Sequence, residues 1–242
     1  HKFFRQPDTR KRGKDCHKGL CLVIDFGDGV EVLRVLLFWS GGKDAAWTLY
    51  RLEQDDTVEV VALVTTFDAK TDRSAMHSVR RSLLNLQAFA AGLPLIEIGL
   101  PWPCSNTIYE RVINSVIMKS RDDLDIHALA FGDIFLEDIR SYREQKFAEL
   151  GLDLLFPIWG MPTKDLARQM IGNNLRARVA CVDSNALPAE FAGREFDLEF
   201  LEALPKDVDP CELPFWYLAA KHPDYLRVSP LCGMDQVESA VT

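Results

Sequence analysis

Ser40-Gly41-Gly42-Lys43-Asp44 is the part of the chain whose residue types and spacing speak most directly of chemistry. Adjacent glycines permit positive φ and let a ligand reach the backbone with no Cβ in the way. Where a helix follows such a loop, its first N–H groups lack partners inside the helix and its dipole favours an anion. Ser40 and Lys43 add a hydroxyl and a cation, so the string reads as a phosphate cradle. It is neither a GxxxxGK[ST] loop nor a GxGxxG fingerprint. A plain glycine turn with an exposed lysine is the competing reading, and the apolar strand in front of the full string favours phosphate. A helix terminus contributes about 0.3–1 kcal/mol and a charge-assisted hydrogen bond about 1.5–3. Micromolar binding takes roughly 8 kcal/mol. A base and ribose pocket must supply the rest. In an open α/β sheet it lies across the carboxyl ends of neighbouring strands, which here means Thr65, Thr66 and Phe67 after one strand and Gly132-Asp133 after another.

Further candidates are sparser. Glu137, Arg140 and Glu144 fall at spacings of three and four, so one helical face presents acid, base and acid; from spacing alone this is a solvated salt-bridge ladder. His77 is a candidate for orienting phosphate or substrate, and a lone helical histidine is more often structural. Cys16, His17 and Cys21 make half of a metal site, but no second Cys/His pair with finger spacing follows. Asp25-Phe26-Gly27 spells a kinase-like triplet without the catalytic-loop motif that would give it meaning, and reads as a turn.

The elements that must hold these residues alternate. Leu20 to Leu37 reads as extended with a turn at Gly27-Asp28-Gly29. Val35 to Trp39 is a short, continuously apolar strand of the kind covered on both faces in a parallel sheet. A helix follows the glycine loop, then a strand at Val58 to Thr66. Next come a helix over 74–91 ended by Gly92 and a strand at Leu95 to Ile98. A helix over 105–119, a strand at His127 to Phe131 and a helix over 134–150 complete the alternation. Strands and helices in this order imply an α/β fold with an open, mostly parallel sheet flanked by helices. Beyond a break near residue 150 lie an apolar run from Leu154 to Trp159, a helix capped by Thr163, and a strand from Arg178 to Asp183. Trp159 reads as core. The organisation expected is a basic extension over 1–33, a nucleotide-binding domain over 34–150, a smaller C-terminal α/β substrate region over 151–211 and an atypical tail over 212–242.

Composition narrows the classes. With 242 residues, 48% hydrophobic and 26% charged, a sizeable core is possible and wholesale disorder is excluded. The net charge of -8 argues against a general nucleic-acid coat. Residues 1 to 19 nonetheless hold seven Lys or Arg against two Asp. A charged head of this kind is more often solvated than a nucleic-acid arm. No run approaches the ~20 apolar residues of a membrane span, and no secretory signal is visible. Six scattered cysteines do not make a disulfide scaffold and point to the reducing cytoplasm. A start at His1 rather than Met suggests a fragment, a processed product or an upstream extension.

WSGGKDAAWTL resembles the pyrophosphatase loop of the adenine nucleotide alpha hydrolase, or PP-loop, superfamily, whose HUP-like members cleave ATP between the α and β phosphates. Within it the chain is similar to the diphthine-ammonia ligase family and its bacterial relatives. The strings that carry this are Met76-His77-Ser78-Val79-Arg80, GDIFLEDIRSYRE from Gly132 to Glu144, Leu155-Phe156-Pro157-Ile158-Trp159 and Arg194-Glu195-Phe196-Asp197. The resemblance implies an AMP-forming ligase using ATP and Mg²⁺. A carboxylate is adenylated with release of pyrophosphate, and ammonia then displaces AMP. It implies Ser40, Gly41, Gly42 and Lys43 on the pyrophosphate and Asp44 as a Mg²⁺ ligand or loop brace. Gly132 and Asp133 border the nucleotide or the acyl-adenylate, and Glu137 and Arg140 acquire a substrate role. The partners are ATP, ammonia and a carboxylate acceptor, on a protein or small molecule, that the sequence does not name.

The chain departs from the family pattern in places. Ala45 stands where a final loop serine is usual. After Asp209-Pro210-Cys211 the expected Gly-Glu and Phe-His-Thr elements are replaced by Glu212-Leu213-Pro214-Phe215-Trp216, as a shifted reading frame would give. Residues before 34 have no family counterpart. A non-catalytic adenine-nucleotide-binding regulatory module is therefore the alternative of a different class. A tRNA-thiolating relative is a third, although no paired catalytic cysteines stand out.

Overall fold

The computed structural model describes residues 32–217 apart from 75–77, 102, 185 and 214, and of 215–217 the backbone alone. The readings placed on Cys16, His17 and Cys21, on Asp25-Phe26-Gly27, on the turn at Gly27-Asp28-Gly29, and on Met76 and His77 lie outside the described residues.

Six strands form one sheet. They are β1 (Leu33–Phe38), β2 (Val58–Asp68), β3 (Arg73–Ser74), β4 (Leu95–Leu100), β5 (Ala128–Ala130) and β6 (Asp153–Leu155). All pair in parallel except β3, and the parallel strands lie in the order β4-β2-β1-β5-β6. The chain steps outward from β1 through β2 to β4, then returns to the other side of β1 for β5 and β6. Connections thus leave β1 and β5 in opposite directions, the topological switch point at which open α/β sheets hold ligands. β1 and β4 flank β2 at Leu63 and Val64, and β4 continues beside it to Asp68. The pairing of β3 with Phe67 and Asp68 therefore falls on the edge of β2 just past the end of β1. This is the mostly parallel, helix-flanked α/β fold that the alternation predicts.

Both faces are covered by α1 (Lys43–Glu53), α2 (Arg81–Ala91), α3 (Asn106–Leu124) and α4 (Glu137–Phe147). Period-two alternation sends Val35 and Leu37 to a core shared with Ala46, Leu49, Leu83 and Leu84. Leu36 points the other way, into a core with Val64, Ile113, Ile117 and Phe147. A third core joins Trp47 of α1 to the C-terminal elements α5 (Thr163–Gly172), β7 (Ala177–Val179) and α6 (Leu198–Ala203). The last described strand, β8 (Phe215–Tyr217), pairs antiparallel with β7, so the fold continues past residue 211. No helix among the described residues is long and apolar enough to cross a membrane.

Several elements differ from the pattern. The helix expected from residue 74 begins at Arg81. Ser74 and Val79 close a loop instead, the Ser74 amide donating to the Val79 carbonyl and the Val79 amide donating to Ser74 Oγ. Ser78 within that loop has φ of 51°, incompatible with a helix. Likewise α4 starts at Glu137 rather than Ile134, because the Ile134 carbonyl accepts from the Gly160 amide. Thr163 is the first residue of α5 and does not cap it; the cap position is Pro162, and the Thr163 hydroxyl donates to Asp209. The strand read at Arg178 to Asp183 is the shorter β7, and Trp159 is half-buried rather than core.

Ile117, fully buried between α3 and the sheet, should lose about 2–5 kcal/mol of stability as Ile117→Ala. Phe89→Ala, at a position 74% exposed, should stay within about 0.5 kcal/mol. Urea unfolding of both variants checks this, and equal losses would contradict the layer assignment.

Candidate functional site

Strand β1 ends at Phe38 and the chain turns through Trp39, Ser40, Gly41 and Gly42 into α1. Gly41 takes φ of 81°, and a Cβ there would stand 2.7 Å from Leu84 Cδ2. Only glycine meets both demands. Gly42 occupies the N-cap of α1 in extended conformation and makes no side-chain cap hydrogen bond. The amides of Asp44 and Ala45 therefore open the helix with no intrahelical acceptor, and the N-cap residue supplies no side-chain one. The Ser40 hydroxyl accepts from the Gly42 amide at 3.3 Å, bracing the turn.

A cleft of about 160 Å³ opens beside this loop and is lined by Ser40, Asp44 and Ala45. Its other walls are Thr65 and Thr66 from the end of β2, and Gly132 and Asp133 after β5. The expected strand ends thus converge, with the exception of Phe67, which is turned away under the Arg81 guanidinium. Gly132 presses its backbone onto α1: a Cβ there would meet the Ala45 nitrogen and the Asp44 carbonyl carbon at 3.1 Å. The enclosed volume is below the roughly 300–1,000 Å³ of a pocket that swallows a drug-sized ligand. A nucleotide in this cleft must leave part of itself outside. A larger hollow of about 700 Å³ lies beside Tyr50, Gln54, Asp55 and Asn173, around the connection from α1 to β2, and contains none of the loop residues. The smaller cleft is the one with the donors.

Two wall residues were not singled out in the sequence. Arg143 donates from Nε and Nη2 to the two Asp133 oxygens at 2.6 and 3.2 Å. Its guanidinium lies 4.3 Å from the Phe131 ring centroid. This fork-to-fork pair points one remaining amino group of Arg143 away from Asp133 on the cleft wall. Tyr109 adds a phenol whose ionisation burial pushes upward. The signal for Arg143 is its spacing: Ile139 and Phe147 stand one turn before and one turn after it in a mostly polar helix, and Phe147 is buried against the sheet.

The ladder residues fall beside the cleft and not in its lining. Glu137 is exposed, and Arg140 donates to Glu144 at 2.8 Å. The Arg140 guanidinium also packs on Phe156 and Trp159, at 4.7 and 4.8 Å from their ring centroids. Lys43 departs furthest from expectation. It is 1% exposed, and its ammonium donates to both Asp44 oxygens at 2.9 and 3.1 Å and to the Cys211 carbonyl at 3.1 Å. Asp209 shapes that contact by accepting from the Cys211 amide at 2.7 Å and from the Thr163 hydroxyl at 2.6 Å. Burial pushes the Cys211 thiol up to about 12. Among the described residues no three His, Cys, Asp or Glu side chains gather as a metal-binding set.

A glycine loop at the switch point of a parallel sheet, feeding an uncapped helix, defines a nucleotide-binding α/β protein of the PP-loop kind. The chain belongs to the diphthamide synthase N-terminal domain family, which matches residues 33–154. That places it with the diphthine-ammonia ligase-like proteins, as an ATP-utilising enzyme of the PP-loop superfamily. The match spans the sheet from β1 into β6 and stops short of the C-terminal elements. No curated protein matches the chain.

Because a side chain at 132 meets backbone, Gly132→Ala should displace the start of α1 and weaken ATP binding at least tenfold by calorimetry; unchanged affinity would sever the cleft from the loop. The Cys211 thiol should resist iodoacetamide in the folded protein at pH 8 while half-exposed Cys104 reacts, as read by peptide mass spectrometry. Above pH 9 the unfolded chain sheds this proton and the folded one holds it to about 12, so its contribution to stability falls across that window.

Proposed function

We propose that the cleft binds ATP with the β and γ phosphates on the loop and catalyses an AMP-forming amidation. The observation that carries this is the uncapped first turn of α1 beside the close contact of Gly132, which keeps backbone donors open at the switch point. The acceptor carboxylate attacks the α phosphorus, breaking its bond to the bridging oxygen, and pyrophosphate leaves. Ammonia then adds to the acyl carbon, AMP departs and a proton is released. Such chemistry depends on positioning and charge neutralisation more than on a nucleophilic side chain.

The residues divide accordingly. The loop from Ser40 to Lys43 and the opening amides of α1 receive the departing pyrophosphate, with the Gly42 amide holding the Ser40 hydroxyl toward it. Thr65 and Gly132 border the nucleotide, and Asp133 holds Arg143 toward the developing charge. Lys43 works through Asp44: its buried ammonium neutralises a carboxylate that would otherwise repel phosphate at the mouth of the loop. Mg²⁺ fits this donor set if phosphate oxygens and water supply most of its ligands and Asp44 adds one, since Mg²⁺ keeps several waters and takes few carboxylates; the ion would neutralise phosphate charge. Arg140, with Glu137 nearby, offers a cation on an aromatic floor to an acceptor carboxylate. The C-terminal region over 151–211 would then carry the acceptor side of the site.

With ATP, Mg²⁺, ammonium and a cell extract as the source of acceptor, the protein should release AMP and pyrophosphate in equal amounts. ATP binding without AMP formation would leave the regulatory reading instead. Lys43→Ala should lower ATP affinity about tenfold, because it leaves Asp44 unneutralised beside the phosphates; undiminished affinity would remove the lysine from the site.

A further inference from the structure

The loop is backed by a buried amide that takes no part in the proposed chemistry. Gln87 lies on α2, is fully buried and contacts the loop from behind. The Trp39 indole N–H donates to Gln87 Oε1 at 2.8 Å, and Gln87 Nε2 donates to the Gly41 carbonyl at 2.9 Å. Indole nitrogen is a donor only and a carbonyl an acceptor only, so the two contacts dictate which way the amide faces. Neither Glu nor Leu can replace it. A carboxylate would set an oxygen against the Gly41 carbonyl, and a leucine would leave indole and carbonyl buried without this partner.

The geometry has a consequence for the ligand side. In a trans peptide the C=O and the following N–H point in opposite directions. Drawing the Gly41 carbonyl toward α2 therefore turns the Gly42 N–H away from α2, to the side where Ser40 Oγ accepts it. Gly41, at φ of 81°, is free to rotate unless something holds that plane. Leu84 fills the space on the same side, where a Cβ on Gly41 would come within 2.7 Å.

We propose that Gln87 is a positioning residue for pyrophosphate: by bridging the Trp39 indole and the Gly41 carbonyl, it locks the Gly41–Gly42 peptide and, through the Gly42 amide, the Ser40 hydroxyl that faces the phosphates. Gln87 touches no substrate. The inference rests on the reading that the loop holds the β and γ phosphates of ATP, and it adds that their affinity is set from α2, in the connection from β2 to β4.

The test compares two probes, inorganic pyrophosphate and AMP, each with Mg²⁺, by calorimetry on the full chain. Gln87→Leu and Gln87→Glu should each lower pyrophosphate affinity at least tenfold while AMP affinity stays within twofold of the parent. A purely structural amide would move both probes together through the folded fraction, and that outcome, or unchanged pyrophosphate binding, overturns the proposal. Should both variants fail to fold, Trp39→Phe keeps the Gly41 contact and removes the indole donor to Gln87 Oε1. It should lower pyrophosphate affinity about threefold with AMP unchanged, and an absence of that selectivity is equally fatal. If the parent chain binds neither probe, the nucleotide reading itself fails and this inference goes with it; a parent that binds both, with variants that match it, defeats Gln87 alone.

Discussion

The burial of β1 is the constraint from which the rest follows. Val35, Leu36 and Leu37 have no exposure, with neighbours on both edges and helices on both faces. A strand so enclosed can place its carboxyl end at one location only, between the ends of β2 and β5. The loop leaving it must reverse into α1 at once, because β3 occupies the edge of β2 just beyond. Close packing then requires a residue without Cβ at Gly41 and again at Gly132, where the next strand end comes against the helix start. The chemistry of the loop is thus a by-product of fitting a helix onto the end of a fully buried strand.

Electrostatics in this site works by local compensation. The chain carries an excess of acid, with a net charge of -8, and the cleft itself contains Asp44 and Asp133. Each is matched by one cation, Lys43 and Arg143, through short charge-assisted contacts. What faces an anionic ligand is therefore backbone N–H groups and neutralised pairs, and an acidic domain can hold a phosphate without a basic surface.

The sequence was legible where a pattern is local. The apolar run of β1, the glycine loop and the alternation of strands with helices each follow from spacing that spans a few residues, and they led to the fold and to the convergence of Ser40, Thr65, Gly132 and Asp133. What was not legible depended on partners far along the chain. Ser74 and Val79 look helical by composition, yet their mutual hydrogen bonds make a loop. Ile134 reads as part of α4 until the Gly160 amide claims its carbonyl. Arg143 was passed over for Arg140, since helical spacing shows which residues share a face but not which face meets the cleft. In the same way, nothing in SGGKD reveals that the Lys43 ammonium meets the Cys211 carbonyl.

That last contact bears on how the molecule is made. One acceptor of the Lys43 ammonium, the Cys211 carbonyl, lies 168 residues downstream. A ribosome that has delivered every strand of the main sheet has still not delivered the carbonyl that receives this charge. Until Cys211 emerges, the nascent loop has the Asp44 carboxylate beside this ammonium but not the downstream carbonyl. The sheet is therefore complete in the growing chain before this hydrogen bond of the nucleotide loop can form.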